Sequence, residues 1–393
     1  MSIDFKNPYI KEEHVMFREA VREFVNAEIR PVANKHDKNA KIERSLLDKM
    51  AEMGFMGMAI PEEYGGAGAD GVSFVILAEE ITRACASTSV VLGAHGGIGT
   101  YGLVLDGTQE QKVKYCPKLA SLEMVGCFAL TEPNAGSDAA AIKTRAVRDG
   151  DDWILNGEKI WITNGDIADL MTVFAVTDPA LGAHGGVTAF LVERGPGVIS
   201  GPKEHKMGLA GSGTTTVTFE NVRVPHANVL GKVGHGFVTA MKILDKGRLF
   251  LGAAALGAAK EAYEMAVNHS LQRQQFKKPI AEFQAIQFYL AEMATRIYAM
   301  EQMVYHAAWL MDQGESITVP GSMIKLYCTE ASSWVINKSL QIHGGMGYSS
   351  ELPIERMFRD ARIFEIFEGT NEIQKVVIAR ELLKDKKKEL ARV

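Results

Sequence analysis

The stretch WILNGEKIWIT, residues 153–163, decides the fold class because the periodicity of the chain changes there. Two runs of β-favouring residues flank Asn156-Gly157, a dipeptide that is a strong signal for a hairpin turn. The β pattern continues in MTVFAVT (171–177), VTAFLVE (187–193) and TTTVTFENVRV (214–224), with glycine- and proline-rich breaks between them. We therefore predict a small antiparallel β domain in the middle of the chain.

Helical periodicity dominates on both sides of this block. Before it, we predict helices near residues 44–53, 72–86 and 108–120, the last opened by the capping box Thr108-x-x-Gln111. After it, four long segments suit a bundle of antiparallel helices, near 237–272, 280–313, 318–343 and 371–388.

The expected fold class is therefore α+β, without alternating βαβ units. It divides into an N-terminal helical domain (1–125), a middle antiparallel β domain (126–235) and a C-terminal four-helix bundle (236–393). GGAGADG (65–71) matches a dinucleotide fingerprint formally, but that fingerprint works between a strand and a helix, and this stretch lies between helices. We predict an ordinary loop there.

Composition narrows the classes of function. The chain has 393 residues, 47% hydrophobic and 23% charged, and a formal net charge of −5, which argues against a nucleic-acid partner and a polybasic membrane patch. The N-terminus is too polar for a secretory signal, and the apolar run 250–259 is too short to span a bilayer. Four cysteines without a C-x-x-C pair are typical of reduced core thiols. We expect a cytoplasmic enzyme of a prokaryote with neither a nucleic-acid nor a membrane partner.

Three stretches each have two interpretations. FALTEPNAGSD (128–138) presents hydroxyls and turn N–H groups that suit a heterocycle or a phosphate, or it is a surface turn. In KIWITNG (159–165), Trp161 and Thr163 share one face of a strand and cover a flavin, or Trp161 is a buried sheet residue. Arg273 in QRQQF (272–276) binds a phosphate, or it solvates a helix end.

FEIFEGTNEIQ (364–374) places three glutamates in an aromatic setting, where a carboxylate costs free energy unless it is used or paired. Asn371-x-x-Gln374 predicts a capping box with Glu372 in the first turn of the last helix. Glu365 has Arg362 three residues earlier as a partner. Glu368 has neither role, and burial by bound ligands is expected to raise its pKa while the helix N-terminus opposes that rise.

Four stretches resemble, in order, the signatures of the acyl-CoA dehydrogenase family: GCFALTEPNAGSD (126–138), WITNG (161–165), QIHGGMGYSSELPIERMFRD (341–360) and DARIFEIFEGTNEIQ (360–374). The resemblance covers essentially the whole chain. It implies a homotetrameric flavoprotein, a dimer of dimers, that uses FAD to introduce an α,β double bond into acyl-CoA thioesters in fatty-acid β-oxidation. It also implies electron-transfer flavoprotein as the partner that takes the electrons.

The resemblance makes Glu368 the catalytic base that abstracts the α-proton, while flavin N5 accepts the β-hydride. Its own backbone N–H and a ribityl hydroxyl of FAD are expected to stabilise the thioester oxygen. Isovaleryl-CoA dehydrogenases carry their base at another position, which in LDKGR (244–248) is Gly247, and this argues against the isovaleryl type.

The resemblance also implies binding residues. FAD contacts are expected at Phe128, Leu130, Thr131, Ser137, Trp161, Ile162, Thr163, Arg273, Gln275, Phe276, Gln284, Gln341, Ile342, Gly344, Gly345, Thr370 and Glu372, some of them across a subunit interface. Substrate contacts are expected at Ser137, Asp245, Arg248 and Gly369. No metal is expected.

The acyl pocket and the reaction type have alternatives. AHGGIGTYG (94–102) and LDKGR are rich in glycine, which leaves room for a medium, long, branched or cyclic acyl group unless neighbouring side chains refill the space. The alternative functions are an acyl-CoA oxidase or a flavin monooxygenase of the same fold. Oxidases usually have longer chains, and monooxygenases generally lack the glutamate of EGT. A non-enzymatic CoA-ester-binding protein is a third hypothesis, against which the intact Glu368 and flavin motifs weigh.

Overall fold

A computed structural model describes the backbone of residues 7–390 and the side chains of residues 7–384. The extreme ends of the first and last predicted domains, residues 1–6 and 391–393, lie outside the described residues. The helices of the N-terminal part are α1 (Glu12–Phe24), α2 (Ala33–Lys38), α3 (Arg44–Glu52), α4 (Gly71–Ala84), α5 (Ala86–Leu92), α6 (Thr100–Asp106) and α7 (Gln109–Ala120). The three helices predicted in this part are confirmed as α3, α4 and α7. GGAGADG is the predicted loop, and its Asp70 caps α4 by accepting a hydrogen bond from the Ser73 N–H.

The predicted capping box of α7 is present. The Gln111 N–H donates to Thr108 Oγ1 over 3.2 Å, and the Thr108 N–H donates to Gln111 Oε1 over 3.0 Å. Between α5 and α6 the chain forms a π-helical turn, Gly93–Gly99, with a non-helical Gly97. The run Ala86–Asp106 is long and apolar enough to cross a membrane, but 61% of its most apolar window is buried inside the protein. It has the burial of a core helix.

The middle part is one eight-stranded sheet with strand order β6-β7-β3-β2-β4-β5-β8, and β1 pairs with β4. Its pairs are antiparallel except β1–β4 and β2–β4, which are parallel. The strands are β1 (Gly126–Ala129), β2 (Arg145–Asp149), β3 (Asp152–Thr163), β4 (Leu170–Val176), β5 (Val187–Glu193), β6 (Val198–Lys203), β7 (Thr214–Pro225) and β8 (Val229–Leu230), with a one-turn helix α8 (Ala183–Gly186) before β5.

The hairpin predicted at Asn156-Gly157 is wrong, because β3 runs through this dipeptide without turning. The turn lies earlier, where Asp149 of β2 pairs with Asp152 of β3 around Gly150 at φ 61°. Gly157 instead marks a bulge against β7, and a Cβ there would lie 2.5 Å from Thr144 Oγ1. The glycine is needed for close approach of two strands, which the dipeptide alone does not distinguish from a turn.

The four predicted long helices are confirmed as α9 (Gly236–Gln272), α10 (Gln284–Asp312), α11 (Thr318–His343) and α14 (Asn371–Leu390). A small hairpin of β9 (Gln274–Gln275) and β10 (Lys278–Pro279) joins α9 to α10, and two short helices, α12 (Gly345–Tyr348) and α13 (Pro353–Ala361), precede α14. Helix α9 is the centre of the bundle. Its Gly252 allows contact with Ile324 of α11, and its Gly257 allows contact with the backbone of Glu79 in α4.

Candidate active site

A pocket of about 150 Å³ lies between α4, the turn Gly93–Gly99, α6 and α9, and Glu368 forms part of its wall. The wall is mostly apolar because the helices turn hydrophobic faces towards one another, with Phe74, Ile98, Val104, Ile243, Phe250 and Met311 among the lining residues. Such a cleft, with one buried carboxylate on an apolar wall, is typical of a small-molecule site.

Neighbouring side chains occupy much of the space that the glycines of 94–102 were expected to leave. A Cβ at Gly102 would lie 2.7 Å from Ile243, and one at Gly93 would lie 2.6 Å from the Phe250 ring. Only at Gly97 would a Cβ meet nothing closer than 3.9 Å, at Phe74. Refilling therefore prevails over open space, and the pocket stays small.

Glu368 lies in a strained turn at the edge of this pocket. Its φ is 54°, a left-handed value that is uncommon for a residue other than glycine, and Gly369 follows at φ 86°. Gln374 stabilises the turn, since its Nε2 donates to the carbonyls of Glu368 and Gly369 over 3.3 and 2.9 Å. Within the described part of the chain, no residue accepts a hydrogen bond from the Glu368 backbone N–H.

The Glu368 carboxylate faces α9. Its Oε2 is buried and has no hydrogen-bond partner among the described residues. A Cβ at Gly247 would lie 2.5 Å from that oxygen. The position expected for an alternative base therefore borders the same pocket, and the glycine there leaves space for the carboxylate.

Burial raises the pKa of Glu368 to about 7, while the positive charges of Lys325 and Arg248 oppose part of that rise. Lys325 is buried in α11 and donates from Nζ to Asn371 Oδ1 over 2.8 Å. Burial by the surrounding helices thus acts in the direction expected of burial by bound ligands. A carboxylate with such a pKa exchanges its proton near neutral pH, which is what a general base requires.

The other two glutamates have the simpler roles that the sequence predicts. Glu365 pairs with Arg362 over 3.0 Å and also accepts from Ser333 over 2.6 Å. Glu372 lies exposed in the first turn of α14, where a hydrogen bond from its own backbone N–H and one from Thr370 lower its pKa. Neither carboxylate is among the residues that line the pocket.

The capping box predicted at Asn371-x-x-Gln374 is wrong. Asn371 is already the first residue of α14, and its side chain is buried against Lys325 and Thr329. The Ile373 N–H donates to Thr370 Oγ1 instead, over 3.4 Å. The buried Lys325 requires an acceptor and takes the Asn371 amide oxygen, a tertiary contact that no local pattern reveals.

Asp245 and Arg248, predicted as substrate contacts, pair with each other. Arg248 Nη1 donates to Asp245 Oδ1 over 2.7 Å, and Asp245 Oδ2 accepts from Thr318 over 2.6 Å. Arg248 is 5% exposed. In this arrangement its charge acts on Glu368 and the pair fixes α9 to α11.

The loop 130–138 and the end of β3 form one unit. The Ile160 N–H donates to the Thr131 carbonyl over 2.9 Å. The buried Lys159 donates to the Leu130 carbonyl over 3.1 Å and to Glu132 Oε1 over 2.7 Å. Glu132 also accepts from the backbone N–H groups of Lys143 and Thr144, so its carboxylate holds both ends of the loop.

This unit presents an accessible aromatic and polar surface. Trp161 is 56% exposed at φ 58°, so it is not a buried sheet tryptophan. Phe128 is half-buried against Phe174, and the hydroxyls of Thr131, Ser137 and Thr163 have no hydrogen-bond partner among the described residues. Leu130 and Ile162 are buried in the core and present only their backbone. An exposed indole beside unpaired hydroxyls fits a planar, polar ring system such as a flavin.

A second predicted group lies at the other end of α9. His269 and His343 stack with their ring centroids 4.4 Å apart and join the ends of α9 and α11. Exposed here are Arg273, Gln275, Phe276, Gln284, Gln341, Gly344 and Gly345, while Ile342 is buried. The 26 residues between Gly247 and Arg273 correspond to about 39 Å of helix. One chain therefore does not bring this group to Glu368.

Several site residues escaped the sequence analysis. Lys325 and Gln374 support the Glu368 turn, Lys159 supports the loop, and Lys246 lines the pocket. The available signal was a lysine within an apolar helical or strand pattern, as in Met323-Ile324-Lys325-Leu326. Such a lysine predicts a buried charge but not its partner.

Comparison with known proteins gives matches along nearly the whole chain. Three family models match: acyl-CoA dehydrogenase N-terminal domain over residues 11–123, middle domain over 127–222 and C-terminal domain over 234–383. A curated relative from Bacillus subtilis, an acyl-CoA dehydrogenase, is 46% identical over 95% of this chain and 99% of its own.

Solved structures agree. Butyryl-CoA dehydrogenase from Megasphaera elsdenii has a TM-score of 0.93 at 39% identity, covering 97% of this chain and 100% of that one. A chain in the structure described as the electron transferring flavoprotein of Acidaminococcus fermentans has a TM-score of 0.93 at 42% identity, covering 97% and 99%. An acyl-CoA dehydrogenase from Bacillus anthracis, solved with FAD, has a TM-score of 0.92 at 39% identity, covering 99% and 70%.

The elevated pKa of Glu368 predicts how stability depends on pH. Below pH 4.5, its ordinary pKa, the carboxyl is protonated in both folded and unfolded chains. As the pH rises from there through about 7, only the carboxyl of the unfolded chain ionises freely, so the folded state loses stability. The variant Glu368→Gln has no proton to lose, so its advantage in unfolding midpoint over the wild type is expected to grow between pH 5 and pH 8. Urea unfolding followed by circular dichroism measures this, with the paired Glu365→Gln as the control. A difference that is independent of pH would contradict the assignment.

Proposed function

The chain belongs to the acyl-CoA dehydrogenase family, and from that premise we propose that it oxidises short-chain acyl-CoA thioesters to trans-2-enoyl-CoAs with Glu368 as the base. As in the family, the enzyme is an FAD-dependent oxidoreductase. The observation that carries the proposal is the unpaired, buried Glu368 carboxylate on the wall of an acyl-sized pocket, with a pKa of about 7.

Each part of the Glu368 turn has a task in the proposed reaction. The carboxylate takes the α-proton of the thioester, and the apolar wall keeps bulk water away from it. The Glu368 N–H, which has no acceptor among the described residues, donates to the thioester oxygen as negative charge develops there. FAD, when bound, supplies the acceptor for the hydride that leaves the β-carbon. Gly369, which follows the base in the chain, is the proposed substrate contact of this turn.

The unit formed by the loop 130–138 and β3 is the proposed holder of the flavin ring, through Phe128, Thr131, Ser137, Trp161 and Thr163 and the backbone of Leu130 and Ile162. Thr370 and Glu372 extend this site beside the base. Ser137 also serves the CoA portion. The group around Arg273 lies too far along α9 to join the same flavin, and we propose that it completes the site of a second copy, as in a homotetramer built as a dimer of dimers.

The proposed substrate is short because the pocket is small. A dry cavity of about 150 Å³ holds a molecule of the size of benzene, or about six carbon atoms. The ion pair of Asp245 and Arg248 stabilises the part of the substrate site beside the base.

We further propose electron-transfer flavoprotein as the electron acceptor and a role in cytoplasmic fatty-acid β-oxidation. We also propose that the domains divide at residues 1–125, 126–235 and 236–393.

The first prediction concerns the flavin site. Lys159→Met leaves Glu132 buried without its counter-ion, so we expect a loss of about 3 kcal/mol in the free energy of unfolding and a lower flavin content. The flavin-to-protein absorbance ratio of the purified variant and its FAD dissociation constant measure the effect. Glu158→Gln, an exposed change on the same strand, serves as the control. Full flavin occupancy in Lys159→Met would show that the loop does not depend on this pair.

The second prediction tests the base. Glu368→Gln is expected to keep FAD and acyl-CoA binding and to lose roughly 10²- to 10⁴-fold or more in the rate of flavin reduction. Anaerobic bleaching of the flavin with butyryl-, hexanoyl-, octanoyl- and palmitoyl-CoA provides the rate and the chain-length preference. Glu365→Gln should reduce the flavin normally. Near-normal turnover by Glu368→Gln would refute the role, and rapid re-oxidation of the reduced wild type in air with peroxide formed would favour an oxidase.

The third prediction uses Lys325, whose charge holds the pKa of Glu368 down. In the wild type, kcat/KM is expected to rise with pH through an apparent pKa near 7 as the base loses its proton. Lys325→Met removes the cation, so the rise should move to higher pH. Lys375→Met, an exposed lysine in α14, should leave the profile unchanged. An unshifted profile in Lys325→Met would show that the apparent pKa of kcat/KM does not belong to Glu368.

A further inference from the structure

The pocket holds a further charged group, Lys246, besides the base. Lys246 precedes Gly247 on α9 and lines the same cavity. Its Nζ lies 3.9 Å from the centroid of the Tyr101 ring, which also lines the pocket. Among the described residues it has neither an ion-pair partner nor a hydrogen-bond acceptor.

The other lysines in the protein interior are satisfied. Lys159 pairs with Glu132, Lys260 with Glu79 and Glu301, and Lys325 donates to Asn371. Lys246 is only partly buried, but an ammonium on a mostly apolar wall gains from an acceptor that arrives from outside the chain. Lys246 and Glu368 thus line one cavity, and neither side chain has a hydrogen-bond partner among the described residues.

Different charged groups act on Lys246 and on Glu368. Lys325 and Arg248 are the charged groups that act on Glu368. Burial lowers the pKa of Lys246 to about 8, and the negative charge that opposes this shift comes from Asp312, at the end of α10. Lys246 thus remains positively charged at neutral pH, at the end of the pocket where α10 meets the start of α4.

The carboxylates at that end are already occupied. Asp70 accepts from the Ser73 N–H through Oδ1, over 2.8 Å, and from His14 Nε2 through Oδ2, over 2.9 Å. Asp312 Oδ1 accepts from the Gly71 N–H over 2.6 Å. The ammonium of Lys246 therefore lacks a protein acceptor although two acids lie at the same end, and its free N–H groups are available to a ligand in the cavity.

We propose that Lys246 selects short acyl groups whose far end carries an oxygen acceptor, a carboxylate or a hydroxyl, over alkyl chains of equal length. The inference rests on the proposed function, because it assumes that the acyl group enters this pocket with its α-carbon at Glu368. An alkyl end that reaches Lys246 strips water from the ammonium and offers no acceptor, whereas an oxygen atom replaces that water with a charge-assisted hydrogen bond.

The test compares acyl-CoAs matched in length: pentanoyl-CoA, 5-hydroxypentanoyl-CoA and glutaryl-CoA. Hydrogen bonds to a charged group contribute about 1.5–3 kcal/mol, so wild-type kcat/KM for an oxygenated substrate should exceed that for pentanoyl-CoA by roughly 10- to 100-fold. Lys246→Met, of similar size but uncharged, should abolish that preference and raise turnover of hexanoyl-CoA. The flavin content and the circular dichroism spectrum of Lys246→Met should equal those of the wild type, which shows that the variant is folded.

The control is Lys242→Met, one turn earlier on α9, where the lysine pairs with Asp106 and does not line the pocket. It should keep the wild-type preference. A gain with glutaryl-CoA alone assigns the site to a carboxylate, and a gain with both oxygenated substrates assigns it to any oxygen acceptor. A wild type without preference, or one whose preference survives in Lys246→Met, overturns the inference.

Measurements of binding distinguish a failure of this inference from a failure of the proposed function. In the Glu368→Gln background, which does not turn over, the dissociation constants of the same three CoA esters are measured by calorimetry with and without Lys246→Met. A preference for oxygenated esters that disappears with Lys246 supports the inference even if no acyl-CoA bleaches the wild-type flavin. Equal dissociation constants overturn it even if butyryl-CoA is oxidised.

Discussion

The rest of the site depends on burying one carboxylate, that of Glu368, whose Oε2 has no hydrogen-bond partner in the part of the chain that the structure describes. Such burial is costly, and the surrounding structure is arranged around it. Gly247 leaves the space that the carboxylate occupies, Gln374 holds the left-handed turn that presents it, and Lys325 with Arg248 limits the rise in its pKa. These four residues come from α9, α11 and α14, so the packing of the bundle and the protonation of Glu368 are coupled.

Paired and unpaired charges are distributed differently in this protein. Within the bundle, Lys260 lies 2.7 Å from Glu79 and 2.9 Å from Glu301, and within the β domain Lys159 lies 2.7 Å from Glu132. These pairs are internally satisfied, so they stabilise a particular packing without offering a group to a ligand. Glu368 and Lys246, whose side chains have no ion-pair partner among the described residues, both line the pocket. The unsatisfied charges therefore indicate where a ligand belongs.

Helix length adds a second constraint. Helix α9 extends from the sheet to the small hairpin beyond Gln272, and about 39 Å separate Gly247 from Arg273 along it. A chain of this shape carries the pocket and the ring-binding surface at one end of the helix and the cluster around Arg273 at the other. In the proposed assembly of two or more copies, both groups of residues would serve one bound flavin.

The sequence by itself determined the order of helical, β and helical parts, the four long helices, the capping box at Thr108 and the choice of Glu368 over Glu365 and Glu372, because these depend on local periodicity and on motifs. It was wrong where a tertiary contact overrides a local pattern: Gly157 serves a close approach to Thr144 rather than a turn, and Asn371 serves Lys325 rather than a cap. Only the tertiary structure decided the size of the pocket, since Phe250 and Ile243 refill the space beside glycines of another segment. It alone also showed which buried lysines have partners, because the partner of a buried charge lies far away in sequence and close only after folding.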